Sequence, residues 1–290
     1  MHGWTVSVIA AGLWALAPML AFGFAGDQII RLCLKLPVLL RLTLPALFGI
    51  PYVLAGSQWD RAHWMVIYFG LPVVIAVLLW HAGRYDPQQR GDWRDFAVLL
   101  VLGLAVDLRW LEPAWPTQLS VISKLILLDS GLYGFLVIRQ LTNVGFDLRM
   151  RMNDMFIGLR ELLFFVPIAI PLGLALGFLR FHAHLPHLRS VALTVIFTFF
   201  LIAIPEEICF RGWMQNLLER RVGPRISLWI TALIFGLSHF NKRATHFNWR
   251  YVLLAAIAGI FYGRAWRSRR RVAASAITHT CVDTVWSLWL

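Results

Sequence analysis

The segment Pro205-Glu206-Glu207-Ile208-Cys209-Phe210-Arg211 puts two adjacent glutamates and an arginine directly after the apolar run Val191 to Ile204. An ionised side chain at bilayer depth costs at least ~2.5 kcal/mol, so each such group needs a partner, a proton or a task. On a helix, residues four apart share a face while neighbours diverge by ~100°. Glu207 therefore lies over Arg211 and can pair with it, and Glu206 points elsewhere. That leaves Glu206 as a carboxylate in poorly solvated surroundings, the setting of a general base. The plainer alternative is a polar clamp between helices in which all three residues are structural.

Two further polar intrusions follow. His239 closes the run Ile226 to Ser238 with Phe235 one turn beneath it, and His279 stands one turn before Asp283 within Val272 to Leu290. A glutamate, two histidines and another polar group on neighbouring helices suffice to activate a water and to hold a developing oxyanion. One histidine at a helix end is more often an ordinary packed residue. Four ionisable positions in the last third of so apolar a chain argue for a shared task, because each must offset its own desolvation. Cys209 and Ser238 adjoin these groups, but helix neighbours face different ways, so neither is placed as a nucleophile.

These residues need helices to carry them. The chain has 290 residues, 59% hydrophobic and 14% charged, where a soluble domain carries about 25% charge; its mean hydropathy is +0.67. The expected fold is all-α, a polytopic transmembrane helical bundle of 8–10 spans. Candidate spans are 4–25, 38–56, 63–82, 95–107, 119–138, 158–179, 190–210, 226–240, 251–264 and 273–289. The fourth falls short of the ~20 residues a spanning helix needs, so it is expected to be partly re-entrant or to extend through charged ends. The opening run lacks a basic leader and is long enough to span, and is read as a retained first helix rather than a secretory signal.

The net charge of +12 comes mostly from arginines in short segments between apolar runs. This is the pattern of topogenic charge beside anionic lipid and not of nucleic-acid binding. The densest cluster, Arg264 to Arg271, is expected to be cytoplasmic, and ten spans then put both termini outside; Lys242, Arg243 and Arg250 run against that count. Trp59, Trp64, Trp110, Trp115 and Trp249 near span ends read as interfacial anchors. His182, His184 and His187 alternate in a loop and read as solvated rather than metal-binding. Three scattered cysteines give neither a disulfide framework nor a metal motif.

Depth offers a check. Glu206 follows Arg189 by ~26 Å of helix and His279 follows Arg271 by ~12 Å, so in a core ~30 Å thick both fall in the cytoplasmic half. His239 would lie ~21 Å from the cytoplasmic side, too deep for the others unless its helix tilts or begins late.

In order along apolar helices, EExxxR (Glu206, Glu207, Arg211), FxxxH (Phe235, His239) and HxxxD (His279, Asp283) resemble the CPBP or Abi family of CAAX-processing and bacteriocin-processing intramembrane glutamic endopeptidases. The motifs cover about residues 190 to 285, and Asn143-Val144-Gly145-Phe146-Asp147-Leu148-Arg149 is similar to the family's lead-in. The resemblance implies that Glu206 acts with His239 to polarise the attacking water. It implies that His279 and Asp283 face the scissile carbonyl oxygen, and that Glu207 and Arg211 brace the site. The family often has asparagine at the last position. A charged Asp283 would repel an oxyanion, so it is either protonated there or orients His279.

The expected organisation is an N-terminal set of helices of unassigned role, 1–140, and a catalytic helical core, 141–290. The expected activity is hydrolysis of a peptide bond in a membrane-associated protein or peptide, in a multi-pass protein of the bacterial inner membrane, with the bilayer as partner and no nucleic acid. No cofactor is expected. One alternative is a zinc protease with Glu206, His239 and His279 as ligands. Another is a proton or ion path through the same residues, against which the lack of paired broken helices in two similar halves counts. A non-catalytic immunity or scaffold role is a third.

Overall fold

The computed structural model describes residues 5–56, 62–182, 186–242 and 246–289. Trp59, His184 and Arg243 lie outside the described residues. Among the described residues there is no strand, and the chain forms ten helical segments, one at each expected span. It divides into two compact units, Met1–Thr142 and Asn143–Leu290.

The first unit carries α1 (Val6–Leu34), α2 (Val38–Ala55), α3 (Ala62–Tyr85), α4 (Trp93–Asp107) and α5 (Thr117–Ile138). Pro45 and Pro51 remove ladder donors inside α2, and a 3-10 turn at Leu44–Gly49 takes up the break. The short α4 has a capping box at Asp92 and Asp95. Its charged end is anchored inside the unit, because the buried Asp95 accepts from Arg139 Nε at 2.8 Å while Nη2 of the same arginine reaches Asp86 at 2.7 Å. Trp115 departs from the interfacial expectation. It is buried, its indole N–H donates to the Tyr68 hydroxyl at 2.6 Å, and it packs edge-on to Tyr52 and Tyr68. Trp110 and Trp249 are exposed.

The second unit carries α6 (Met152–Ala175), α7 (Leu188–Val222), α8 (Pro224–Leu237), α9 (Trp249–Arg269) and α10 (Val272–Trp289). By length and composition α1, α2, α3, α5, α6 and α7 can each cross a membrane, and α8 is a shorter apolar helix. The span expected at 190–210 runs on without a break to Val222 as a helix of 35 residues. Pro205 has no N–H to give the ladder, and the turn before it, Phe199–Ala203, opens into a π turn; a second covers Ile208–Gln215. Gly223, at φ +82°, then ends α7, and Pro224 starts α8.

The Asn143–Arg149 strip fastens the turn between α9 and α10. Val144 and Gly145 carbonyls accept from the Trp266 indole at 3.1 Å and the Val272 N–H at 2.9 Å. Asp147 pairs with Arg271 at 3.0 Å. Gly145 sits at φ +74° with the Arg270 carbonyl where a Cβ would go, so only glycine fits. The core of the unit is Phe165, Ala169, Phe235, Ala255, Ala258, Phe261 and Tyr262. At the seam of α8 and α9, Gly236 abuts the Val252 carbonyl and Gly259 abuts Ala232, which lets the two backbones approach closely.

Candidate active site

Four of the five helices of the second unit bring the polar residues together. On α7, Glu207 is fully buried and its Oε1 accepts from Arg211 Nη1 at 3.0 Å, the one-turn pairing expected from spacing. Arg211 also donates to the Gly259 carbonyl on α9 at 3.1 Å. Its guanidinium lies 4.5 Å over the Phe235 ring, so a buried cation is met by a carboxylate, a carbonyl and a π face.

The same Glu207 oxygen receives His279 Nδ1 at 2.8 Å. A carboxylate only accepts, so Nδ1 carries a proton and Nε2 is turned the other way. Nε2 lies 3.5 Å from Asp283 Oδ2 and 3.9 Å from Glu206 Oε2. The imidazole is fixed by stacking on Tyr262 at 4.6 Å and 15°, and Phe235 meets it edge-on. Glu206 is the less enclosed glutamate, and its Oε2 is buried without a hydrogen-bond partner.

His239 sits just past the end of α8, where Nδ1 lies 2.8 Å from the Phe235 carbonyl. Because a carbonyl only accepts, Nδ1 is the donor and Nε2 of the neutral ring is an acceptor. Among the described residues, neither glutamate forms a hydrogen bond or ion pair with His239, so any cooperation between Glu206 and His239 needs an intervening molecule. His239, His279 and Asp283 line one cavity of about 120 Å³, whose other walls include Phe165, Tyr251 and Trp286. No three His, Cys, Asp or Glu side chains among the described residues are grouped to hold a metal ion.

Sequence reasoning missed Ser275. Its hydroxyl contacts Glu207 Oε2 and lies 2.9 Å from the Tyr262 carbonyl. The signal was present, since Ser275, His279 and Asp283 follow one another at helical spacing on one face of α10. Tyr262 carried no such signal, because its place depends on α9 packing against α10.

This constellation lies on α7 to α10 and, for His239, just past the end of α8. A family model described as type II CAAX prenyl endopeptidase Rce1-like matches residues 188–285. The Rce1-like segment begins at the first residue of α7 and ends past Asp283, so it contains all three motifs and about a third of the chain. It agrees with the CAAX-protease resemblance of the motifs, and the proteins it describes are CAAX prenyl endopeptidases. The first unit lies outside the Rce1-like match. No curated protein and no solved structure matches the chain.

Proposed function

We propose that the chain is a glutamic intramembrane endopeptidase in which Glu206 is the general base. The observation that carries this reading is the approach of Glu206 and Asp283 to the same nitrogen of His279, at 3.9 and 3.5 Å, beside a largely apolar cavity. Glu206 Oε2 has no hydrogen-bond partner and His239 Nε2 is an open acceptor, so in this reading the attacking water donates to both. As that water attacks the scissile carbonyl, Glu206 takes its proton and later passes it to the departing amine. His279 works as an imidazolium, with Nδ1–H held by Glu207 and Nε2–H directed at the carbonyl oxygen as it gains charge. Asp283 then orients His279 and does not itself meet the oxyanion. No metal enters these steps.

The substrate we infer is a membrane-tethered protein whose C-terminal segment reaches the cavity from the cytoplasmic side. The arginine-rich short segments favour the bacterial inner membrane with those segments inside. The test is Glu206→Gln in the purified, reconstituted protein, assayed on a lipid-modified peptide with a CAAX terminus. Cleavage should fall by ~10²–10⁴, with membrane insertion unchanged. A wild-type rate in that variant removes the mechanism.

A further inference from the structure

A second cavity, about 350 Å³, opens between the start of α6 and the end of α9, lined by Asn153, Phe156, Ile157, Arg160, Ser268 and Arg269. Its charge is unbalanced. The buried Glu161 accepts from Arg160 at 2.7 Å and is ion-paired with Arg264 at 3.0 Å, so one carboxylate serves two guanidiniums. Arg269 has no ion-pair partner among the described residues. The nearby acids are committed elsewhere, Glu219 to Arg267 and Arg270, and Asp154 to Arg271. Arg160 and Arg264 therefore share one carboxylate, and Arg269 adds a positive charge that no described carboxylate balances.

The polar groups suit one kind of anion. Arg160 Nη2 donates to the Ser268 hydroxyl at 3.1 Å, and that hydroxyl gives its own proton to the Arg264 carbonyl at 3.1 Å, so the donors left to the cavity are Arg160 Nη1, the Arg269 guanidinium and the Asn153 amide. Two guanidiniums and an amide so placed match the oxygens of a phosphate. The apolar surroundings narrow the choice further. Phe156 lines the cavity and is 77% exposed, and Leu159, Leu163 and Phe164 continue an exposed apolar face along α6, one of the membrane-crossing helices. A phosphate site at the head of such a stripe has the layout of a lipid at the membrane boundary.

We propose that this cavity binds the phosphate headgroup of an anionic phospholipid, with the acyl chains along Phe156 and Leu163. A zwitterionic lipid would bring its own cation into a site that already holds surplus positive charge. Free phosphate would lack the apolar contacts. The inference does not depend on the proteolytic reading.

Native mass spectrometry of the full chain from detergent tests it, with short-chain phosphatidylglycerol, short-chain phosphatidylcholine or inorganic phosphate as the added probe. Phosphatidylglycerol should bind ~10-fold more tightly than phosphatidylcholine, and Arg160→Gln or Arg269→Gln should each weaken it by ~5-fold. Arg225→Gln, an exposed arginine on α8, should leave it unchanged. Arg269 is exposed, so its variant decides the matter if the Arg160 variant does not fold. Equal binding of the two lipids overturns the proposal, as does an unaffected Arg269→Gln protein. Inorganic phosphate that displaces the lipid at equal concentration reassigns the cavity to a soluble anion and overturns the lipid claim.

Discussion

His279 gives its Nδ1 to Glu207 at 2.8 Å, and that same carboxylate carries Arg211 at 3.0 Å. The second glutamate of the motif therefore does more than brace a helix. It selects which imidazole nitrogen faces Glu206 and Asp283. Breaking a buried pair by removing one partner costs about 3–5 kcal/mol. Arg211→Met and Glu207→Gln should each lower unfolding stability in detergent by about that much and also abolish cleavage. The double variant should lose less stability than the two single losses added together. Additive losses would mean that the pair is not a unit.

Ser275 contacts the other oxygen of Glu207. Ser275→Ala should leave that oxygen short of a donor, at about 1–3 kcal/mol, and let the carboxylate turn. Since Ser275 does not line the cavity, the expected result is kcat lower by ~10-fold with KM unchanged. A rise in KM alone would place Ser275 in substrate binding instead.

Asp283 stands 3.5 Å from His279 Nε2. If its task is to orient the ring, Asp283→Asn keeps an acceptor of the same shape and should stay within ~10-fold of wild type, while Asp283→Leu should lose ~10²-fold. Cleavage rates of the two variants at one pH separate the outcomes. Equal loss in both would mean that the charge itself is required.

Asp147 connects the Asn143–Arg149 strip to Arg271. Burial pushes its carboxyl upward, but hydrogen bonds from Arg149 and Arg271 outweigh that and hold it at about 2, below the ~3.9 of an unfolded chain. A group lowered on folding stabilises the fold above its unfolded value and loses that contribution as pH falls through the folded one. Asp147→Asn should therefore be less stable than wild type at neutral pH by about 1 kcal/mol, since solvent screens the pairs with the exposed Arg149 and Arg151. The gap should close between pH ~4 and ~2. Unfolding midpoints across that range check it.

The helices were readable because each needed only a long apolar run, and Glu207 with Arg211 was readable because both sit on one helix at a spacing that brings them together. The Glu207–His279 bond was not, since it joins α7 to α10 and depends on how the two pack. Trp115 shows the same limit in the first unit: its position near a span end suggested lipid headgroups, but the Tyr68 hydroxyl claims its N–H. The length of α7 was hidden because Glu206, Glu207 and Arg211 interrupt the apolar run without ending the helix.

The widened turn at Phe199–Ala203 has a consequence for how this segment can vary. A π turn amounts to one surplus residue in an α-helical ladder. Deleting a residue there would restore even hydrogen bonding, yet it would swing everything downstream by ~100° about the axis. The acidic pair would then leave His279 and turn toward lipid or another neighbour. Substitutions in this stretch should be accepted far more readily than length changes, so the irregularity acts as a phase setting for the residues beyond it.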